Sequence, residues 1–201
     1  MAVGIPEYRL PRDVIAREYR QIQDLGVEIR LNPTVGPGGD CTLDDLFATG
    51  YGAVCLAVGA HKSHDLRISG ESLPGVIQGV ELLKVISLTQ QVGEPESQAT
   101  LKRLLRKGPK TKAIVLGGGN TAMDVSRSLR RLGLKDVRIY YRRTRAEMPA
   151  LPEEIEGAEQ EGVAVEYLVA PVRILGSATT GVTGLECVRM KLGEPDSSGR
   201  R

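Results

Sequence analysis

Aromatic residues are scarce in this sequence, with no Trp, one Phe and six Tyr among 201 residues. Little is available to build an aromatic cage or a stacking platform for nucleic-acid bases, and the core must be aliphatic. Histidine is nearly as rare: His61 and His64 are the only two, and a pair without a third ligand in view reads as part of a solvated loop, not as a metal site. Cysteine is limited to Cys41, Cys55 and Cys187. Their odd number, wide spacing and lack of a Cys-x-x-Cys argue against a disulfide frame and against zinc or iron–sulfur ligation, and they read as buried free thiols. No run approaches the roughly 18 apolar residues that span a bilayer, and the first residues lack the basic and apolar regions of a signal peptide, so a cytoplasmic location is expected. A net charge of +2, spread through amphipathic segments, implies attraction to neither nucleic acid nor membrane.

What is present is ordinary for a globular protein: 41% hydrophobic and 26% charged residues, enough chain for one good-sized domain or one domain and part of a second. Helical spacing of Val14, Ile15, Tyr19, Ile22 and Leu25 predicts an amphipathic helix over 12–25 ended by Gly26. Val27–Leu31 alternates as a short strand, and 32–39 is rich in turn residues. Thr42, with Asp45 three places on, caps a short helix over 43–49. Residues 51–58, with the apolar run 53–58 at their centre, read as a buried strand ending at Gly59-Ala60. After a loop over 61–74, a helix is predicted over 76–88, a break at 94–97, and a solvated helix face over 101–107.

The pattern then sharpens into alternating strands and helices: strand 113–116, helix 121–132 stopped by Gly133, strand 137–141, a loop over 144–152 with two prolines, helix 153–161 stopped by Gly162, and strand 163–169. Residues 184–192 read as one arm of a hairpin, and 193–201 as a polar tail. The fold class predicted is α/β, a Rossmann-like NAD(P)-binding domain with a parallel sheet.

Gly117-Gly118-Gly119-Asn120-Thr121-Ala122 carries the chemistry. Gly-x-Gly-x-x-Ala directly after a strand and opening a helix is the dinucleotide fingerprint in its required context. Gly117 permits the tight turn, Gly119 lets the backbone approach a pyrophosphate, and the small Ala122 lets helix and strand pack closely. The N–H groups of Asn120 to Ala122 then face the phosphates at the positive end of a helix dipole. An NAD site places Asp or Glu about 20 residues further on, to bind the ribose 2′-hydroxyl; here stand Arg142 and Arg143. Paired guanidinium bonds suit a phosphate, so the expected ligand is NADP(H). Arg145 is assigned to solvent, Arg127, Arg130 and Arg131 to the helix surface, and Asp124 to a structural role, since its carboxylate would repel a pyrophosphate. No nucleophile, acid–base pair or metal cluster stands out, which fits hydride transfer, where the cofactor supplies the chemistry. A ligand-free strand–helix turn is the plain alternative.

Three stretches go further: Gly4-Ile5-Pro6-Glu7-Tyr8-Arg9-Leu10-Pro11, Leu116 to Asp124, and Tyr141-Arg142-Arg143. They resemble the small subunits of NADPH-dependent glutamate synthase nearly end to end. Met148-Pro149-Ala150, Glu153-Glu154-Ile155, Glu161-Gly162-Val163 and the stretch from Gly193 to Arg200 follow in that family's order, and the electron-entry module of dihydropyrimidine dehydrogenase shares most of them. The resemblance implies FAD in one Rossmann domain and NADPH in a second inserted into it, with hydride passing from NADPH to FAD and electrons onward to an iron–sulfur domain or an accepting subunit. It implies that residues 1–75 are the remnant of a partial FAD-binding domain, with Ala57, Gly59 and Ala60 beside the flavin, and that 76–201 form the NADP(H)-binding domain. The family's first glycine motif, cysteine-rich region and final flavin segment are missing. An internal piece that binds NADP(H), holds FAD weakly or not at all and has no turnover of its own is therefore expected. A nucleotide-binding regulatory module without redox function is the alternative reading; a Rossmann methyltransferase is disfavoured because it places an acidic residue where Arg142 stands. Exposed apolar edges near the N-terminus are expected to promote self-association.

Overall fold

The computed structural model describes residues 2–60, 63, 65–105 and 111–194. The expectations at His61 and His64, at Arg106-Lys107 and in the tail from Pro195 lie outside the described residues. Contacts divide the chain into one unit of Met1–Arg9 with Ser63–Arg201 and a second of Leu10–Lys62. Residues 2–9 and the described residues from Ser63 on belong to the first unit.

The first unit is built on three parallel strands in the order β1-β2-β3, namely Lys112–Leu116, Asp136–Tyr141 and Ala164–Tyr167. Leu116 lies opposite Tyr140, and Tyr141 opposite Tyr167. On β2 the side chains alternate strictly, with Val137, Ile139 and Tyr141 buried and Asp136, Arg138 and Tyr140 half-buried, the period of two that a pleated strand imposes. Helix α5 (Asn120–Arg131) crosses between β1 and β2. It buries Ala122, Met123, Val125 and Leu129, an apolar stripe at helical spacing. The helix stops where Gly133 adopts a φ of 95°. Met123 and Ile139 are completely enclosed, and each such side chain contributes on the order of 1.5–3 kcal/mol on burial.

Two helices extend this core. Helix α3 (Gly79–Val92) buries Leu82, Leu83, Val85 and Ile86, and α4 (Pro95–Leu105) buries Leu101. The break expected at 94–97 is narrower than the sequence implied, because Pro95 begins α4: the N–H that proline lacks would have had no partner inside the helix at its first position. Nor is 101–105 a solvated face, since Leu101 is buried and Leu104 and Leu105 pack on the core. Helix α6 (Pro152–Gln160) again opens on a proline and buries Ile155 and Ala158.

The strand expected over 163–169 is broken at Leu168, whose φ is 58°. Its N–H donates to the Arg143 carbonyl at 3.1 Å, and its own carbonyl accepts from the Met190 N–H at 2.7 Å. The reversal starts an antiparallel hairpin of β4 (Val169–Ser177) and β5 (Gly181–Arg189), of which the expected arm at 184–192 is the second strand.

The second unit holds α1 (Arg12–Asp24) and α2 (Leu43–Ala48). Thr42 and Asp45 form the expected capping box on α2. The strands expected at 27–31 and 51–58 are not formed: both segments lack regular structure, and Leu31 and Leu56 are exposed. Alternation and apolar content prepare a segment to be a strand, but only a neighbouring ladder makes it one. None of the described residues from 10 to 60 is buried. The cysteines are free, as expected, but not buried, since Cys55 is exposed and Cys41 and Cys187 are half-covered.

Candidate functional site

The site begins where β1 ends. Gly117 has a φ of 134°, a conformation that side chains strain to reach, and its N–H donates to the Tyr140 carbonyl at 3.2 Å. The loop is thereby stitched to β2 at the end from which Arg142 and Arg143 emerge. The three glycines answer to different demands. A Cβ on Gly118 would stand 2.6 Å from a ring carbon of Tyr141, so this glycine is required by packing inside the protein. Gly119 has an unstrained φ of −90°, and a Cβ there would meet nothing nearer than Pro149 at 4.0 Å. No internal contact accounts for it, and it is the position that the fingerprint reserves for a pyrophosphate.

Gly119 is the N-cap of α5, and its carbonyl accepts from the N–H groups of Ala122 at 2.9 Å and Met123 at 3.3 Å. The Ala122 N–H is thus engaged in the turn, a correction to its expected place on the phosphates. A helix leaves its first N–H groups without partners inside the helix, which here leaves those of Asn120 and Thr121 for a ligand. The Asn120 side chain is committed elsewhere: its Oδ1 accepts from the Leu151 N–H at 2.9 Å. Thr121 is exposed, and Ala122 is buried as its small size allows.

A second wall comes from 144–151. Thr144 and Glu147 form a capping box around a short 3-10 turn, Arg145–Glu147. The Tyr141 hydroxyl donates to the Glu147 carbonyl at 2.6 Å, and the Ala150 N–H donates to the Gly118 carbonyl at 3.1 Å. This bracing role of Glu147, Ala150 and Leu151 was not foreseen. The Thr-x-x-Glu spacing signals the turn, but nothing local signals its contact with a loop some thirty residues earlier.

The arginines sort themselves by partner. Arg145 binds Glu159, Arg138 binds Asp136 and Glu166, and Arg131 binds Glu161. Arg127 is no surface residue: its side chain is 14% exposed and bridges Glu154 at 2.6 Å and Glu161 at 2.9 Å. Arg130 is also engaged, donating to the carbonyls of Glu161 and Leu134. Among the described residues, Arg142 and Arg143 make no ion pair. They are the cations left over at the sheet end that carries the glycine loop.

Asp124 has the structural role expected of it. Its residue is 4% exposed, and Arg9 reaches it at 2.8 and 3.1 Å while a second nitrogen of Arg9 binds Glu154 at 2.8 Å. Burial raises the Asp124 carboxyl above the usual carboxylate range, and the Arg9 charge offsets this only in part. The neighbouring Tyr8 ring lies beneath Arg127 and Arg131, whose guanidinium carbons stand 4.5 and 4.0 Å from its centre. Burial, and then the Asp124 charge, push the Tyr8 phenol well up. Ala57, Gly59 and Ala60, the residues expected beside a flavin, lie exposed in the irregular stretch of the second unit, and Gly59 has a φ of 70°. Among the described residues no cluster of three or more metal-ligating side chains occurs. No described helix is long and apolar enough to cross a membrane.

A βαβαβ sheet with a glycine loop at its first turn is the architecture of the dinucleotide-binding α/β proteins. Comparison with known proteins is more specific: the chain belongs to the pyridine nucleotide-disulphide oxidoreductase family, whose model matches residues 15–192. It is 43% identical over its full length to the NADP(+)-dependent formate dehydrogenase subunit beta of Moorella thermoacetica, covering 26% of that protein. To the glutamate synthase [NADPH] small chain of Escherichia coli it is 35% identical, again over its full length, covering 41% of the relative. The chain therefore spans less than half the length of these relatives. Among solved structures, FprA of Mycobacterium tuberculosis in complex with NADPH matches 95% of the chain and 59% of its own length, with a TM-score of 0.63 and 16% identity. That likeness establishes the shared fold.

Proposed function

We propose that this chain is the NADP(H)-binding portion of a flavin-dependent oxidoreductase that takes hydride from NADPH and passes it to FAD, as in glutamate synthase small chains. The observation that carries this reading is the pair Arg142-Arg143, unmatched by any carboxylate among the described residues and emerging from β2 beside the glycine loop. Bound NADPH supplies the hydride; the protein supplies position and electrostatics. Gly119 admits the pyrophosphate, the N–H groups of Asn120 and Thr121 and the dipole of α5 hold it, and Ala122 keeps the helix close. Gly117 and Gly118 set the loop's shape, and Arg142 and Arg143 recognise the 2′-phosphate. Ala57, Gly59 and Ala60 would line the FAD side in the whole protein.

The names of the relatives support both the nucleotide and the redox class, since they include an NADP(+)-dependent formate dehydrogenase subunit and NADPH-dependent glutamate synthase chains. In the whole protein the reduced flavin would serve an electron-accepting subunit or iron–sulfur domain, in the cytoplasm. Calorimetric titration of the purified chain with NADPH and NADH tests the reading. NADPH is expected to bind at least roughly tenfold more tightly, a difference of about 1.4 kcal/mol. Equal affinity for the two, or no binding of either, overturns it.

A further inference from the structure

The fold buries a carboxylate one turn inside the helix that carries the proposed phosphate site. Asp124 is the fifth residue of α5, so it lies about 6 Å along the axis from the helix start. At such a distance, in a poorly screened interior, an unbalanced negative charge opposes the binding of an anion. Arg9 binds Asp124 directly, the Tyr8 hydroxyl lies 3.5 Å away, Arg127 acts on it from the same helix, and Glu154 on α6 adds a second negative charge. Glu154 has a partner of its own in Arg127 at 2.6 Å, whereas among the described residues Asp124 is ion-paired to Arg9 alone.

We infer that Arg9 is an electrostatic positioning residue for the dinucleotide: by neutralising buried Asp124 it preserves the positive end of α5, on which the pyrophosphate depends. The inference rests on the proposed NADP(H) site. Arg9 arrives from far along the sequence, 115 residues before Asp124, and it ends the segment that packs with the nucleotide-binding unit before the chain passes into the second unit at Leu10. A local helix-dipole device would have used a residue of α5 itself. Here the balance of charge at the nucleotide site depends on the seating of a distant peptide.

Charge and pH separate this role from simple bracing. In Arg9→Met, Asp124 keeps its buried position and loses its cation. NADPH affinity at about pH 8 is expected to fall roughly tenfold, or about 1.4 kcal/mol. Burial already raises this carboxyl, and without Arg9 it rises further. The charge is therefore lost as the pH falls, and the deficit relative to the unsubstituted chain shrinks along with it. The pair Arg9→Met, Asp124→Asn is expected to restore most of the affinity. Asp124→Asn alone, close to isosteric and leaving Arg9 bound to Glu154, is expected to tighten NADPH binding roughly two- to threefold, and it supplies the test even if Arg9→Met does not fold. An unchanged or weakened affinity in Asp124→Asn overturns the inference, as does an Arg9→Met deficit that is constant with pH and is not relieved by Asp124→Asn. Failure of the unsubstituted chain to bind NADPH would instead remove the proposed site itself, a separate outcome read from the same titrations.

Discussion

Gly118 and Gly119 are neighbours with opposite obligations. A Cβ on Gly118 would overlap the Tyr141 ring, so Gly118→Ala is expected to lower stability by about 1–3 kcal/mol, the usual cost of overpacking, as a drop in thermal midpoint. Gly119→Ala meets no such obstacle. It should leave the midpoint nearly unchanged yet abolish most NADPH binding, a split between stability and affinity that calorimetry and melting curves together expose. Arg142→Ala with Arg143→Ala should weaken NADPH by about 1.5–3 kcal/mol for each charge-assisted bond lost and leave NADH unaffected. The placement of the three glycines between a strand and a helix, and of the two arginines after the next strand, was legible in the sequence because it is local, set by strand, turn and helix within thirty residues. The contact of Tyr141 with Gly118, and that of Arg9 with Asp124, were not, because no periodicity links residues so far apart.

At the level of elements, α5, β2 and α6 were readable because periodicity, capping and stop signals agree with the tertiary environment. The segments 27–31 and 53–58 have strand composition but no ladder, since composition cannot report whether a partner strand is present. A pair of substitutions measures the difference. Ile139→Ala, at a completely enclosed position on β2, is expected to cost about 2–5 kcal/mol in denaturant unfolding. Leu56→Ala, at a residue 70% exposed, should stay within about 0.5 kcal/mol. A large loss at Leu56 would show that its segment is packed after all. Pro95 and Pro152 carry a related lesson: read as breaks, they open helices, because a proline ends one helix and begins another by the same lack of an N–H.

Across the whole molecule, burial is unevenly shared. The core lies in the unit of β1 to β3, whereas none of the described residues from 10 to 60 is buried. Amide exchange should therefore protect β2 and α5 to the global limit, while α1 exchanges at rates near those of a frayed helix. Leu25, Leu31, Leu56 and Val58 are exposed apolar side chains of the second unit, and concentration-dependent elution in size-exclusion chromatography is expected from them. Two of the carboxyls act on acid stability in opposite directions. Burial alone would raise the Glu161 carboxyl, but bonds from Arg131 and Arg127 outweigh it and hold the group below its usual range. The stability it contributes is present above the unfolded pKa and is lost as pH falls through the lower folded one. Asp124 is raised, so its contribution has the reverse sign, favouring the fold below the ordinary carboxylate range and fading as pH rises through the raised value. Glu161→Gln is expected to remove about 1 kcal/mol at neutral pH and to flatten the fall in melting temperature as the pH drops below the ordinary carboxylate range.

The Tyr141 ring rests on Gly118, with its hydroxyl tied to the Glu147 carbonyl, and the chain contains no Trp. No indole signal overlies the tyrosine bands. A chromophore in a rigid, asymmetric setting directly behind the glycine loop is an optical gauge of that loop. A ligand that reached the loop would be expected to register in the near-ultraviolet dichroism of the unlabelled protein.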